Sequence, residues 1–205
     1  MRHKLEFVAH EDYLTLRAGA EVLEVDAHGE KMLRLPDGLM LKLFRRKRLI
    51  SSAAWYPYAC RFVDNANELR QRGIPVPSVI GGTLRIPSIE RDAVLYQPLA
   101  GTALRVKIRG GIDAQTERAL KSRLTRFVIH LHNLGIYFRS LHLGNIVETP
   151  NGELGLIDFA DLRFYRRPLS MSMRRRNLQR MLGMPDEKNW IDSESILDPR
   201  AVVER

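Results

Sequence analysis

The chain has 205 residues, 44% of them hydrophobic, which is enough to bury a core as one domain or as two small lobes. Its formal net charge of +9 and pI near 10.0 favour anionic partners: nucleotide phosphates, a phosphorylated glycolipid, a phospholipid surface or nucleic acid. Cys60 is the only cysteine, which excludes an internal disulfide and a cysteine-based zinc site.

Residues 1–17, "MRHKLEFVAHEDYLTLR", lack the apolar core of a signal peptide, and no run approaches the ~18 apolar residues of a membrane-spanning helix. A cytoplasmic protein is expected, peripheral at a membrane surface at most. Residues 21–26 and 31–35 flank His28-Gly29, a hairpin signal. A "PDG" turn at 36–38 leads into an apolar strand over 39–44 that carries a single lysine, Lys42. Residues 51–73 read as a helix, with Ser51 or Ser52 as cap, Pro57 interrupting its first half and Gly73 closing it. Phe62, Ala66 and Leu69 share one face of that helix. Strands follow over 74–86 and 92–101, the second running into a Pro/Gly connector that serves as a boundary between units 1–97 and 98–205.

Beyond the connector the pattern becomes helical. Leu120, Leu124, Phe127, Val128, Leu131 and Leu134 form a stripe over 113–134, with Asp113 as cap and Gly135 past the end. "YFRSLHLGNIV" (137–147), a "PNGE" turn and "LGLIDFADL" then make a hairpin. One or two closing helices complete the chain. The fold class expected is α+β: an antiparallel sheet with one helix, then a mainly helical half, the order of the protein kinase fold.

Phosphoryl transfer requires positioning and charge neutralisation more than covalent chemistry. A strand lysine grips the α/β-phosphates, an asparagine and an aspartate hold magnesium, and a loop aspartate orients the acceptor hydroxyl. Lys42 has the strand context. Asn145 follows Ser140 by five residues, the spacing of the kinase loop H-R-D-L-x-x-x-N, and Asp158 follows Asn145 by thirteen, next to Phe159. An aspartate buried behind "LGLI" requires a partner, and a metal is one.

The passages "LKLFRRKR", "RQRGIPVP", "YQPLAGTALR", "FRSLHLGNIV" and "LIDFADLR" span most of the chain. In them it resembles the lipopolysaccharide kinase group of the kinase-like superfamily, the small bacterial relatives of core heptose kinases that include toluene tolerance proteins. The resemblance implies a bilobal fold binding ATP and Mg2+, the cytoplasmic face of the inner membrane, and sugar hydroxyls of a lipopolysaccharide precursor as acceptors. It implies Lys42, Asn145 and Asp158 as nucleotide and metal residues. Gln97 and Leu99, in the connector, would offer backbone groups to the adenine, and Arg139 and Ser140 would occupy the catalytic loop.

The chain departs from the pattern in three ways. Phe138 and Ser140 stand where many kinases have His and Asp. No G-x-G-x-x-G surrounds Gly29. The helix glutamate that should pair with Lys42 falls near Phe62, with Asp64, Asn65 and Glu68 as polar neighbours. His142 is either a substitute base or a support for the loop, and Asp161 either enters the site or caps the next segment of chain. Two readings stay open, a kinase of a glycolipid hydroxyl and a pseudokinase with a regulatory role. A nucleic-acid partner is not expected, because no aromatic-interleaved basic sheet or helix-turn-helix pattern is present. The basic runs 45–48, 105–109 and 166–176 are either solvated surface or docking points for anionic lipid.

Overall fold

A computed structural model describes residues 5–45, 56–198 and 200. The chain is a mixed α and β structure that divides into two compact units, Met1–Leu99 and Ala100–Arg205. None of the helices among the described residues is long and apolar enough to cross a membrane.

The first unit is built on one sheet of six strands: β1 (Leu5–Phe7), β2 (Glu21–Asp26), β3 (Gly29–Arg34), β4 (Met40–Arg45), β5 (Ser78–Ile86) and β6 (Arg91–Gln97). Their order is β1-β5-β6-β4-β3-β2. Every pairing is antiparallel except β1 with β5. Side-chain alternation along the central strands sorts the two faces. Leu33, Leu41, Leu43, Ile86 and Ala93 form one core cluster with Tyr13 of helix α1 (His10–Arg17). Lys42, Phe44 and Tyr96 point to the other face. There Phe62 of helix α2 (Tyr58–Gln71) packs its ring 5.9 Å from Phe44 and 5.4 Å from Tyr96, centroid to centroid.

Three details differ from the sequence expectation. The sheet has six strands because three residues at the N-terminus add β1 in parallel to β5. Helix α1 was not foreseen either, since Tyr13 is its only buried residue and leaves almost no apolar period. Pro57 does not interrupt α2 but sits at its N-cap, where a missing N–H costs nothing. The expected caps Ser51 and Ser52, and Arg46, Lys47 and Arg48 of the first basic run, lie outside the described residues.

The second unit begins with β7 (Thr102–Ala103), helix α3 (Leu104–Arg109) and the long helix α4 (Ala114–Asn133). Asp113 caps α4, accepting from the Gln115 and Thr116 amides at 2.9 Å each. Leu120, Leu124, Val128 and Leu131 bury its apolar stripe. Short strands β8 (Ile136–Phe138), β9 (Ile146–Glu148), β10 (Leu154–Leu156) and β11 (Leu162–Phe164) follow, then helices α5 (Met171–Leu182) and α6 (Ser193–Leu197). They pair as two small sheets, β10-β9-β7 and β11-β8.

Gly135 turns the chain from α4 into β8 at φ +71°, and a Cβ there would collide with the Tyr165 and Arg167 carbonyls. The Gly135 carbonyl in turn accepts from the Tyr165 amide at 2.8 Å. Arg174 of α5 is fully buried, with no carboxylate paired to it among the described residues: it donates to the Leu169 carbonyl, the Ile196 carbonyl and Asn133 Oδ1 at 3.1, 3.4 and 2.6 Å. This guanidinium ties α4, α5 and α6 together, which a count of basic residues reads as surface charge.

Candidate functional site

In the first unit, Lys42 lies mid-strand between the buried Leu41 and Leu43, and alternation turns its half-buried side chain to the α2 face. Its ammonium lies 5.8 Å from the Phe44 ring centroid and 5.9 Å from that of Phe62, a cation–π seat. Phe62, near which the acidic partner of the lysine was expected, turns its ring towards the ammonium. Of the polar neighbours, Asp64 accepts the Tyr56 hydroxyl. Burial, then the Asp64 carboxylate, push the Tyr56 phenol far above its ordinary range. Glu68 accepts two bonds from Arg72, at 2.8 and 2.6 Å, and Asn65 is buried. Gln97 ends β6 opposite Ser78 with its side chain exposed, and Leu99 lies just past it, half-buried.

The second unit gathers the remaining candidates. β8 and β11 run antiparallel with Phe138 opposite Leu162, so the residues just beyond them meet: Ser140 Oγ donates to Asp161 Oδ2 at 2.6 Å. Asn145 Nδ2 donates to the Ser140 carbonyl at 2.9 Å, which leaves the amide oxygen for another partner. The Asn145 carbonyl accepts from the Ile157 amide at 3.0 Å, so Asn145 and the residue beside Asp158 are coupled through the backbone.

Asp158 differs from expectation in its surroundings. The strand stops at Leu156, and Asp158 is exposed, with φ 52° in the left-handed region. Aspartate tolerates that conformation better than most residues, but it still carries strain on the order of 1 kcal/mol, of the kind that collects at functional sites. The turn takes the carboxylate out of the apolar strand and exposes it. Arg139 is also exposed.

His142 takes the supporting role. Its Nδ1 accepts from the Gly144 amide at 3.1 Å and caps the 3-10 turn Leu143–Asn145. The proton is then on Nε2, and the neutral ring has no lone pair left to accept another. Burial, then the Arg105 guanidinium, hold its pKa below the usual histidine value. Beside it Glu187, 3% exposed, accepts from the Leu143 amide at 2.9 Å and from Arg105 Nε at 2.7 Å. Glu187 was not singled out in the sequence, because its partners lie about 44 and 82 residues away.

A further layer lies behind the loop. His132 Nε2 donates to Asn177 Oδ1 at 3.0 Å, and Asn177 Nδ2 donates to the Phe138 carbonyl at 2.6 Å. Helices α4 and α5 therefore hold the strand that delivers Arg139 and Ser140. Full burial pushes the His132 pKa down to about 4.

The donor set fits magnesium of the kind that takes one or two protein oxygens and fills its octahedron with water and phosphate. Asn145 Oδ1 and the Asp158 carboxylate are such donors. Among the described residues no group of three or more His, Cys, Asp or Glu side chains could cage a metal unaided. No protein-family model matches the chain, and no curated protein matches it.

Proposed function

We propose that the protein is an ATP-dependent kinase with a small, bilobal, protein-kinase-like fold, transferring a phosphoryl group to a hydroxyl of an anionic glycolipid such as a lipopolysaccharide precursor. The observation that carries this reading is the loop in which Asn145 donates to the Ser140 carbonyl while its own carbonyl accepts from Ile157. That arrangement fixes an amide oxygen and an exposed carboxylate, Asp158, on one backbone framework, as a phosphate-bound metal requires. Magnesium would supply neutralisation of the phosphate charge there.

Each residue then has a defined task. Lys42 grips the phosphates, Asn145 and Asp158 hold the metal, and Ser140 faces the acceptor hydroxyl. The backbone of Gln97 and Leu99 meets the adenine edge. His142, Glu187 and Asn177 hold the loop in shape. Support for an anionic acceptor at the cytoplasmic face of the inner membrane comes from the net charge and from exposed Arg166, Arg167, Arg175 and Arg176.

A second reading, a pseudokinase that binds nucleotide and regulates envelope biogenesis, is favoured by one observation: Ser140 stands where a catalytic kinase places its loop aspartate. The experiment that decides is incubation with MgATP and dephosphorylated lipopolysaccharide, read by mass spectrometry. A glycolipid heavier by one phosphoryl group supports the kinase. Nucleotide binding without any transfer establishes the second reading.

A further inference from the structure

We infer that Ser140 and Asp161 act as a relay that replaces the missing loop aspartate, with Asp161 as the carboxylate that drives proton removal from the acceptor. This rests on the kinase reading of the same loop and adds to it the residue that takes the proton. Ser140 alone is a poor substitute for aspartate, since a neutral hydroxyl neither attracts nor keeps a proton. The structure places a carboxylate directly behind it, with Ser140 Oγ donating to Asp161 Oδ2 at 2.6 Å. An O–H···O− bond of that length is charge-assisted and orients the serine, so the Oγ lone pairs are available to a hydroxyl approaching from outside.

The second observation concerns the other oxygen. Asp161 Oδ1 is buried and has no hydrogen-bond partner among the described residues. A buried, unsatisfied carboxylate oxygen is costly, and it is retained where function uses it. Capping does not account for Asp161. The segment after it is β11, not a helix, and the turn before it is closed by the Leu162 amide donating to the Phe159 carbonyl at 3.2 Å. Among the described residues its hydrogen-bond partner is Ser140. The competing base, His142, spends its lone pair on the Gly144 amide.

The step balances without further reagents. The acceptor oxygen bonds to the γ-phosphorus of ATP, and the bond from that phosphorus to the β,γ-bridging oxygen breaks, releasing ADP. The acceptor proton passes to Ser140 Oγ as the serine's own proton passes to Asp161 Oδ2, and Asp161 afterwards returns a proton to solvent. Ser140 touches the acceptor, whereas Asp161 acts through Ser140 and is a positioning residue.

The test measures transfer from MgATP to dephosphorylated lipopolysaccharide, with MgATP affinity and melting temperature followed for every variant. Ser140→Ala and Asp161→Asn should each lower kcat by about 10²-fold, with the KM for MgATP unchanged and the double variant no worse than either alone. Moving the carboxylate back, by combining Ser140→Asp with Asp161→Ser, should restore most of the rate. Asp161→Asn with wild-type kcat, or an exchanged pair that stays folded, binds MgATP and remains as slow as the single variants, overturns the relay alone. Wild-type protein that binds MgATP but transfers nothing overturns the kinase reading, and the relay with it.

Discussion

His142 shows how far residue identity alone can carry an assignment. Two residues past Ser140, a histidine suggests a base, whereas the Gly144 amide on Nδ1 gives it a structural task. The two roles predict different mutants. His142→Asn keeps an acceptor at nearly the same place and should retain transfer and stability, whereas His142→Ala should lose a cap worth about 1 kcal/mol, read as a lower melting temperature. Loss of transfer in both variants, with melting unchanged, would return the histidine to the role of base. At this scale the spacing of Ser140, Asn145 and Asp158 was plain in the sequence, as was the strand context of Lys42. The exposure of Asp158 was not, because an apolar run gives no sign of where its strand ends. The Ser140–Asp161 bond spans 21 residues and depends on a ladder of three residues a side, too short for any periodicity to mark.

At the scale of elements, the loop depends on helices that never touch its chemistry. His132, fully buried, donates to Asn177, which donates to the Phe138 carbonyl. Because the folded pKa of His132 is about 4, below an unfolded value near 6.5, the neutral ring stabilises the fold fully above pH 6.5. That contribution should decline as pH falls from 6.5 towards 4, reaching a loss on the order of 3 kcal/mol. Denaturant titrations across this range should show the decline in the wild type and a shallower one in His132→Gln. Equal slopes for both proteins would remove His132 from the account. Helix α4, with its Asp113 cap and four buried stripe residues, was the most legible element because twenty residues of period 3.6 leave little choice. Strand β1 and helix α1 were illegible for the opposite reason, having three residues and a single buried side chain.

At the scale of the molecule, the two units split the candidate residues between them, Lys42, Gln97 and Leu99 in one and Arg139 to Asp161 in the other. Net charge was the first clue to an anionic partner, yet several of the cations are engaged within their own unit. Arg174 is buried, Arg105 pairs with Glu187, and Lys107 and Arg123 both grip Glu148. Arg175 and Arg176 on α5 remain exposed. Reversing both to Glu should weaken sedimentation with anionic vesicles by roughly 1 kcal/mol or more per site at low salt and leave MgATP binding untouched. Unchanged vesicle binding would remove α5 from any membrane contact.

The central claim, a magnesium-dependent nucleotide site built on Asn145 and Asp158, is tested most directly by calorimetric titration of ATP into wild type and Asp158→Asn, each with and without Mg2+. Asparagine suits the left-handed backbone at φ 52°, so the variant should keep its stability to within about 0.5 kcal/mol. Wild type should bind ATP with Mg2+ and lose most of that affinity without it, and Asp158→Asn should bind weakly in both conditions. Tight ATP binding that ignores both the metal and the substitution would contradict the account.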